Sequence, residues 1–127
     1  MIQLVSYSIK KGKPDFLPMK HRLFNVTSRI TNPWRVKSLR KLNGLDLEVQ
    51  QFINNCKRTK AMLQEIFYLL PLGYSIGVCC HGGKHRSVAI VEMLAEYARS
   101  NSIEVEVIHR DLDIKGEGHG KSNNAVV

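Results

Sequence analysis

The sequence predicts an α/β fold, a three-layer sandwich with a mainly parallel sheet in a single domain. Three observations lead there. Short β-rich apolar runs alternate along the chain with segments of helical periodicity, the order that builds a parallel sheet covered by helices. The run from Tyr74 to Cys80 is short, apolar and bounded by turn signals, as a strand buried on both faces must be. Finally, 127 residues, of which 43% are hydrophobic and 24% charged, suffice for one ordinary core, and no repeat or long linker divides them.

The elements follow in order. Residues 2–9 are β-rich and partly alternating, and they stop at Lys10-Lys11-Gly12-Lys13-Pro14, where Gly and Pro punctuate. Residues 22–28 read as a second strand, ended before Asn32-Pro33 because proline forces its predecessor into extended or turn geometry. Residues 34–45 read as irregular and close on the turn-forming Asn43-Gly44. After Asp46, a candidate N-cap, Val49, Phe52, Ile53, Cys56, Leu63, Ile66, Phe67 and Leu70 recur at three- and four-residue steps. They predict one amphipathic helix ending near Pro71-Leu72-Gly73, with Phe52, Cys56 and Phe67 in the core. A buried strand over 74–80 and a helix over 86–100 come next. Ile103, Val105 and Val107 then alternate with Glu104 and Glu106 as a half-exposed strand. A domain over 1–112 and a flexible, polar tail over 113–127 are therefore expected.

Charge is unevenly spread. Residues 1–60 hold 13 basic and 3 acidic side chains, a surplus of ten, whereas residues 61–127 hold 6 and 8. The net +8 thus belongs to the first half and points to phosphate-bearing partners. Tyr7, Phe16, Phe24 and Trp34, interleaved with these cations, include candidates for stacking on unpaired bases, although most are expected in the core. No apolar run approaches the roughly 20 residues of a membrane span, and Met1-Ile2-Gln3 opens a strand pattern rather than a signal segment, so a cytoplasmic protein without membrane contact is expected. Cys56, Cys79 and Cys80 are an odd count without CxxC spacing, which argues against a disulfide framework or a structural zinc site.

The chemistry concentrates in Gly77-Val78-Cys79-Cys80-His81-Gly82-Gly83-Lys84-His85-Arg86-Ser87-Val88. A buried strand running through two glycines into a helix presents unpaired backbone N–H groups at the positive end of the helix dipole, which favours anions. Lys84, His85 and Arg86 add donors, and Arg86 is suited to bidentate phosphate contact. Cys80 and Arg86 followed by Ser87 also have the C-x5-R-[ST] spacing of cysteine phosphatases, with Cys80 as nucleophile and Arg86 as phosphate clamp. No clear general-acid loop accompanies them; Asp15 and Asp111 are candidates only by existence. A glycine turn with exposed cations is the plain alternative to both.

The same segment resembles the Gly-Cys-Thr-Gly-Gly-x-His-Arg-Ser-Val stretch of the RapZ family, in its C-terminal domain. Ser6-Tyr7-Ser8-Ile9-Lys10-Lys11-Gly12-Lys13-Pro14 resembles that domain's opening, Asn32-Pro33 its Asn-Pro, and Leu39-Arg40-Lys41-Leu42-Asn43-Gly44-Leu45-Asp46 its Leu-Arg-x-Leu-Thr-Gly-Leu-Asp. His109-Arg110-Asp111-Leu112 resembles its closing His-Arg-x-Leu. The ordered blocks cover residues 4–112. The resemblance implies an RNA-binding adapter module that senses an amino-sugar phosphate; no catalytic residue, metal or cofactor is expected. Lys10, Cys80, His81, Gly82, Gly83, Lys84, His85, Arg86 and Ser87 are the expected phosphate-binding residues, and Lys11, Lys13, Arg29, Arg35, Lys37, Arg40, Lys41 and Arg110 the expected RNA contacts. The implied partners are a small or single-stranded RNA, a phosphate-containing small ligand, and a ribonuclease or a separate P-loop protein; the implied assembly is a homo-oligomer. A module acting purely through protein interaction is a further alternative. His81 stands where the family has Thr, Trp34 where His is frequent, and the family's Asp-x-Arg is not cleanly kept around Val26 to Arg29, which weakens sugar recognition more than phosphate recognition.

Other matches are discounted. Residues 116–122 fall one residue short of a Walker A loop and have no following helix. His109-Arg110-Asp111-Leu112 resembles a kinase catalytic loop in a chain too short for a kinase. Cys80, His81, His85 and His109 lack metal-pair spacing.

Overall fold

Six consecutive buried residues, Ser75-Ile-Gly-Val-Cys-Cys80, form β3, and such a strand needs cover on both faces and a neighbour on each edge. It has them. The computed structural model describes residues 1–112, and these form a four-stranded, wholly parallel sheet of order β2-β3-β1-β4. The strands are β1 (Ile2–Ser8), β2 (His21–Asn25), β3 and β4 (Val105–His109). The helices are α1 (Leu47–Asn54), α2 (Thr59–Phe67) and α3 (Arg86–Ser100), and short 3-10 turns lie at Ile9–Lys11, Pro33–Arg35 and Lys37–Leu39. No helix among the described residues is long and apolar enough to cross a membrane. The expected tail and the Walker-like stretch lie outside the described residues.

Register assigns the faces. Leu4 pairs with Ile76 and Val107, so these three share one face, the face of Val78, Cys80 and Val105. α3 packs there against β1, β3 and β4, while α1 and α2 pack on α3. Squeezed from both sides, α3 buries Val88, Ile90, Val91, Leu94, Ala95 and Ala98 completely. Each of its larger side chains contributes roughly 1.5–3 kcal/mol by leaving water. The opposite face carries Val5, Tyr7, Gly77 and Cys79, and the connection from β1 to β2 lies over it. A Cβ on Gly77 would fall 2.7 Å from Leu23 Cδ2 and 3.4 Å from Leu17 Cδ1, so glycine is what lets that connection close on the sheet. Helices, sheet and connection make the three layers.

Several local expectations are corrected. The long helix is two, because Ile53 O, which would accept the N–H of Lys57 in a continuous helix, instead accepts from the Thr59 hydroxyl and from Cys56 N–H at 3.0 Å. Residues 55–58 turn, and α2 starts afresh at Thr59. Asp46 sits at the N-cap of α1, but its carboxylate accepts from Asn43 N–H at 2.8 Å and not from the helix. β2 stops at Asn25, where the side chain accepts from Thr27 N–H and starts a turn through Arg29. Ser102, at φ 58°, turns the chain so that β4 begins at Val105 and includes His109. The segment 34–45 is not wholly irregular: one 3-10 turn, Pro33–Arg35, runs into it and another, Lys37–Leu39, lies within it.

Candidate functional site

Because all strands are parallel, their carboxyl ends gather at one edge of the sheet, the place where α/β folds bind ligands. β3 ends there at Cys80, residues 81–85 turn, and α3 starts at Arg86. Gly83 takes φ 68°, and a Cβ on it would lie 2.9 Å from Ser8 N. Ser8, the last residue of β1, is held from two sides: its hydroxyl donates to His81 O at 2.8 Å, and its N–H to Asp111 Oδ2 at 2.7 Å. Gly82 has nothing within 4 Å of a would-be Cβ and no positive φ, so only one of the paired glycines meets a conformational demand.

The side chains of the loop divide into anchors and exposed groups. His85 is buried with Nε2 3.2 Å from Leu39 O; burial pushes its pKa down, and Lys84 and Arg86 push the same way. The neutral imidazole donates to that carbonyl and ties segment 36–45 to the loop. Gly44 N–H reinforces the tie by donating to Lys84 O at 2.8 Å. Ser87 is fully buried: its hydroxyl accepts from the Cys80 thiol at 3.2 Å, and its N–H donates to the same sulfur at 3.4 Å. His81 and Gly82 are exposed.

Arg86 is the unusual member. It is only 5% exposed, and Nη1 donates to Thr27 O at 2.9 Å and Ile30 O at 3.1 Å. Among the described residues its Nε has no partner and no carboxylate pairs with it. A buried guanidinium left without an anion is costly in low dielectric. It separates two clefts. The larger, of about 610 Å³, runs along the 27–32 turn and is lined also by Arg35, Cys56, Lys57, Arg58 and His81, with no Asp or Glu in its wall. The smaller, of about 340 Å³, is lined by Asn32, Trp34, Cys80, His81, Gly82, Lys84 and His85. Asn32, His81 and Arg86 belong to both.

Local sequence explains how the walls are built. Asn32 Oδ1 accepts from Trp34 N–H at 3.1 Å and Pro33 takes the first helical position, so the 3-10 turn sends Trp34 to the smaller cleft and Arg35 to the larger. Arg40 lies 5.4 Å over the Trp34 ring and donates from Nε to Trp34 O at 2.7 Å. The turn between α1 and α2 brings Lys57 and Arg58 to the larger cleft.

Of the residues expected to hold phosphate, Cys80, His81, Gly82, Lys84, His85 and Arg86 line the smaller cleft. Gly83 and Ser87 support the loop from beneath, and Lys10 lines neither cleft. Of the expected RNA contacts, Arg29 and Arg35 line the larger cleft. Arg29 pairs with Glu65 at 3.1 Å on the surface, an interaction of small worth. Lys11, Lys13, Lys37 and Lys41 are exposed, as is Arg40 on its Trp34 perch. Arg110 is committed: its fork closes on Asp111 and on Gly12 O at 2.7 Å, above the Tyr7 ring. Hydrogen bonding to Asp111 raises its pKa further. The His109 side chain is buried between Ser6 Oγ and Glu92 Oε2, each 2.7 Å away. Tyr7 is buried and Phe24 half-buried, whereas Phe16 and Trp34 are exposed. On the outer face Cys79 lies by Tyr7, and burial raises the pKa of both. All three cysteines are free, and no group of three metal-ligating side chains occurs among the described residues. Lys57 and Arg58 escaped sequence reasoning. Their signal was a basic pair one residue after Asn54-Asn55, two poor helix formers inside an otherwise periodic stretch.

Residues 1–113 match the family model described as the RapZ C-terminal domain. Among curated proteins, the chain is 33% identical over 128 aligned residues to a nucleotide-binding protein of Geobacter sp. (strain M21), covering 92% of this chain and 43% of that protein. It is 35% identical over 122 residues to one of Thermodesulfovibrio yellowstonii, covering 87% and 42%. To one of Thermobifida fusca (strain YX) it is 38% identical over 120 residues, covering 86% and 40%. The chain spans about two-fifths of the length of these relatives.

Proposed function

The chain belongs to the RapZ C-terminal domain family, and on that premise we propose that it is a non-catalytic binding module whose residues 1–112 hold a phosphate-bearing small ligand at Arg86 and RNA on the basic surface of the first half. The observation that carries the ligand site is Arg86 itself: buried, at the junction of two clefts, and among the described residues matched by no carboxylate and left with a free Nε. A phosphate oxygen would satisfy that donor and neutralise the guanidinium together. Backbone N–H groups at the start of α3 and the exposed His81 supply further donors. The family premise adds an amino-sugar phosphate as ligand, an adapter role toward a ribonuclease or a P-loop protein, and a homo-oligomeric assembly. The RNA part rests on the surplus of ten positive charges in residues 1–60, with Lys11, Lys13, Lys37 and Lys41 exposed.

Calorimetry with inorganic phosphate and an amino-sugar phosphate tests the ligand site. Both are expected to bind, and Arg86→Ala should weaken binding by about tenfold or more, the worth of one charge-assisted hydrogen bond. Unchanged affinity would remove the assignment. RNA affinity should fall steeply as salt rises from about 50 to about 200 mM; a flat response would sink the electrostatic part.

A cysteine-phosphatase reading draws on one observation, the Ser87 N–H directed at Cys80 Sγ from the start of α3. Against it, Cys80 is 2% exposed and its thiol hydrogen is engaged by Ser87. Turnover of an aryl phosphate that disappears in Cys80→Ser would favour the enzyme; ligand binding preserved in Cys80→Ser, with no turnover in either protein, favours the module.

A further inference from the structure

At the β2 edge of the sheet the main chain has no partner. Lys20 O accepts from Ser75 N–H and Val26 N–H donates to Cys79 O, so the even-numbered residues along β2 direct their main-chain groups to β3. The odd-numbered Leu23 and Asn25 turn N–H and C=O the other way, and among the described residues nothing bonds to those groups. Both residues are exposed, whereas every residue of β3 is buried. A lysine on an edge strand ordinarily projects across the edge and guards it. Here the cations are drawn back. Lys20 Nζ donates to Leu72 O and lies 4.9 Å from the centre of the Tyr74 ring; Arg22 lies 4.4 Å from the same centre and donates to the Tyr74 hydroxyl at 3.2 Å. Neither cation pairs with a carboxylate among the described residues. The edge is thus bare, with two positive charges fixed beside it.

We infer that the β2 edge receives an extended, acidic segment of a partner protein, added to the sheet as a fifth strand. Main-chain pairing with Leu23 and Asn25 supplies the attachment. Side chains along a strand alternate between faces. Arg22 shares the helix-side face with Ile76, and Leu23 shares the outer face with Gly77. The segment that fits therefore alternates acidic residues on the helix side with apolar residues beside Leu23. Residues 16–45 carry seven Lys and Arg and no Asp or Glu, so the surroundings of the edge favour the same partner. A nucleic acid would meet the charge but has no peptide backbone to continue the ladder. Lys20, Arg22 and Tyr74 lie at the amino end of the sheet and Arg86 at the carboxyl end, so the inference is independent of the ligand held there.

Fluorescence anisotropy of a labelled Glu-Val-Glu-Val-Glu-Val peptide titrated with the whole chain tests this. Saturable binding is expected, weakening as salt rises and about tenfold or more tighter than that of Glu-Glu-Glu-Val-Val-Val, which has the same composition. N-methylation on all the valines or on all the glutamates removes alternate sets of N–H groups, of which only one set meets β2. One methylated peptide should therefore bind about tenfold more weakly and the other within about twofold of the parent. Lys20→Glu combined with Arg22→Glu, both exposed positions, should lose the acidic peptide and bind Lys-Val-Lys-Val-Lys-Val instead, an exchange that only a folded chain can make. No saturable binding, an equal loss in both methylated peptides, or a double variant that keeps the unaltered urea midpoint and binds neither peptide overturns the inference. Two other results overturn it as well. A single-stranded RNA that displaces the peptide and loses its own affinity in the double variant assigns the patch to nucleic acid. Sedimentation that finds a dimer of the unaltered chain, absent in the double variant and undisturbed by the peptide, assigns the edge to a second copy.

Discussion

Replacing Gly83 by alanine tests the anion loop at its tightest point. Two penalties add. At φ 68° an L-residue lies in the left-handed region, at a cost of about 1–2 kcal/mol. The new Cβ would also stand 2.9 Å from Ser8 N and 3.1 Å from Ser8 Cα and Cβ. These atoms cannot swing aside, because Asp111 holds the Ser8 N–H and His81 O holds its hydroxyl. Overpacking of this kind costs about 1–3 kcal/mol, and the stiffer unfolded chain returns about 0.4–1 kcal/mol. A net loss of about 1–4.5 kcal/mol is expected, read from urea unfolding followed by far-UV circular dichroism with an unchanged m-value. Gly82→Ala is the control. It meets no atom and keeps an ordinary φ, so it should be neutral or slightly stabilising. Equal effects of the two substitutions, or a loss at Gly83 below about 0.5 kcal/mol, would refute the claim that Gly83 is fixed by its contact with β1.

Asp111→Asn should lower stability by about 1–3 kcal/mol in the same urea assay, because one carboxylate receives both the Ser8 N–H and the Arg110 fork at the end of β1. Acid should act in two steps. His85 has its pKa pushed down by burial from an ordinary 6.5, so the unfolded chain takes up that proton first; its contribution is whole above pH 6.5 and is lost as pH falls below it. For Asp111, burial raises the pKa, but the bonds from Arg110 and Ser8 outweigh it and hold the carboxyl below 3.8, so its contribution is present above pH 3.8 and lost in stronger acid. Urea midpoints measured across this range should show the first step vanish in His85→Gln; a first step that persists would assign it elsewhere.

The parts of the fold visible in sequence were those whose cause is local. β3 and the helix after it could be read because burial on all sides leaves an apolar record, and the loop between them because glycines and basic residues interrupt that record. The helix break was hidden: Cys56 keeps the apolar phase, no Gly or Pro marks the site, and the cause is a hydroxyl bond from Thr59 back to Ile53. That one hidden contact concealed Lys57 and Arg58, and with them a wall of the larger cleft. Lys10 and Arg110 show the converse. Both carry charge in blocks that resemble the family, yet Arg110 is spent on Asp111 and Gly12, and Lys10 lies outside both clefts. Charge is written in the sequence; whether a partner has already claimed it is decided by tertiary contacts.

The central place of β1 in the sheet also governs how the chain must come together in time. Gln3 meets Ser75 across 72 residues and Glu106 across 103, so neither edge of the earliest strand can close until most of the domain exists. At about 5–20 residues per second on a ribosome, β1 waits roughly 5–20 seconds for β4. During that wait Leu4, Val5 and Tyr7, all interior in the finished sheet, stand open to any other strand. High contact order of this kind slows folding to the millisecond-to-second range. A nascent chain that stalls between residues 80 and 105 would hold β1 paired on the β3 side only, and that bare edge makes the stalled species the one most prone to aggregate.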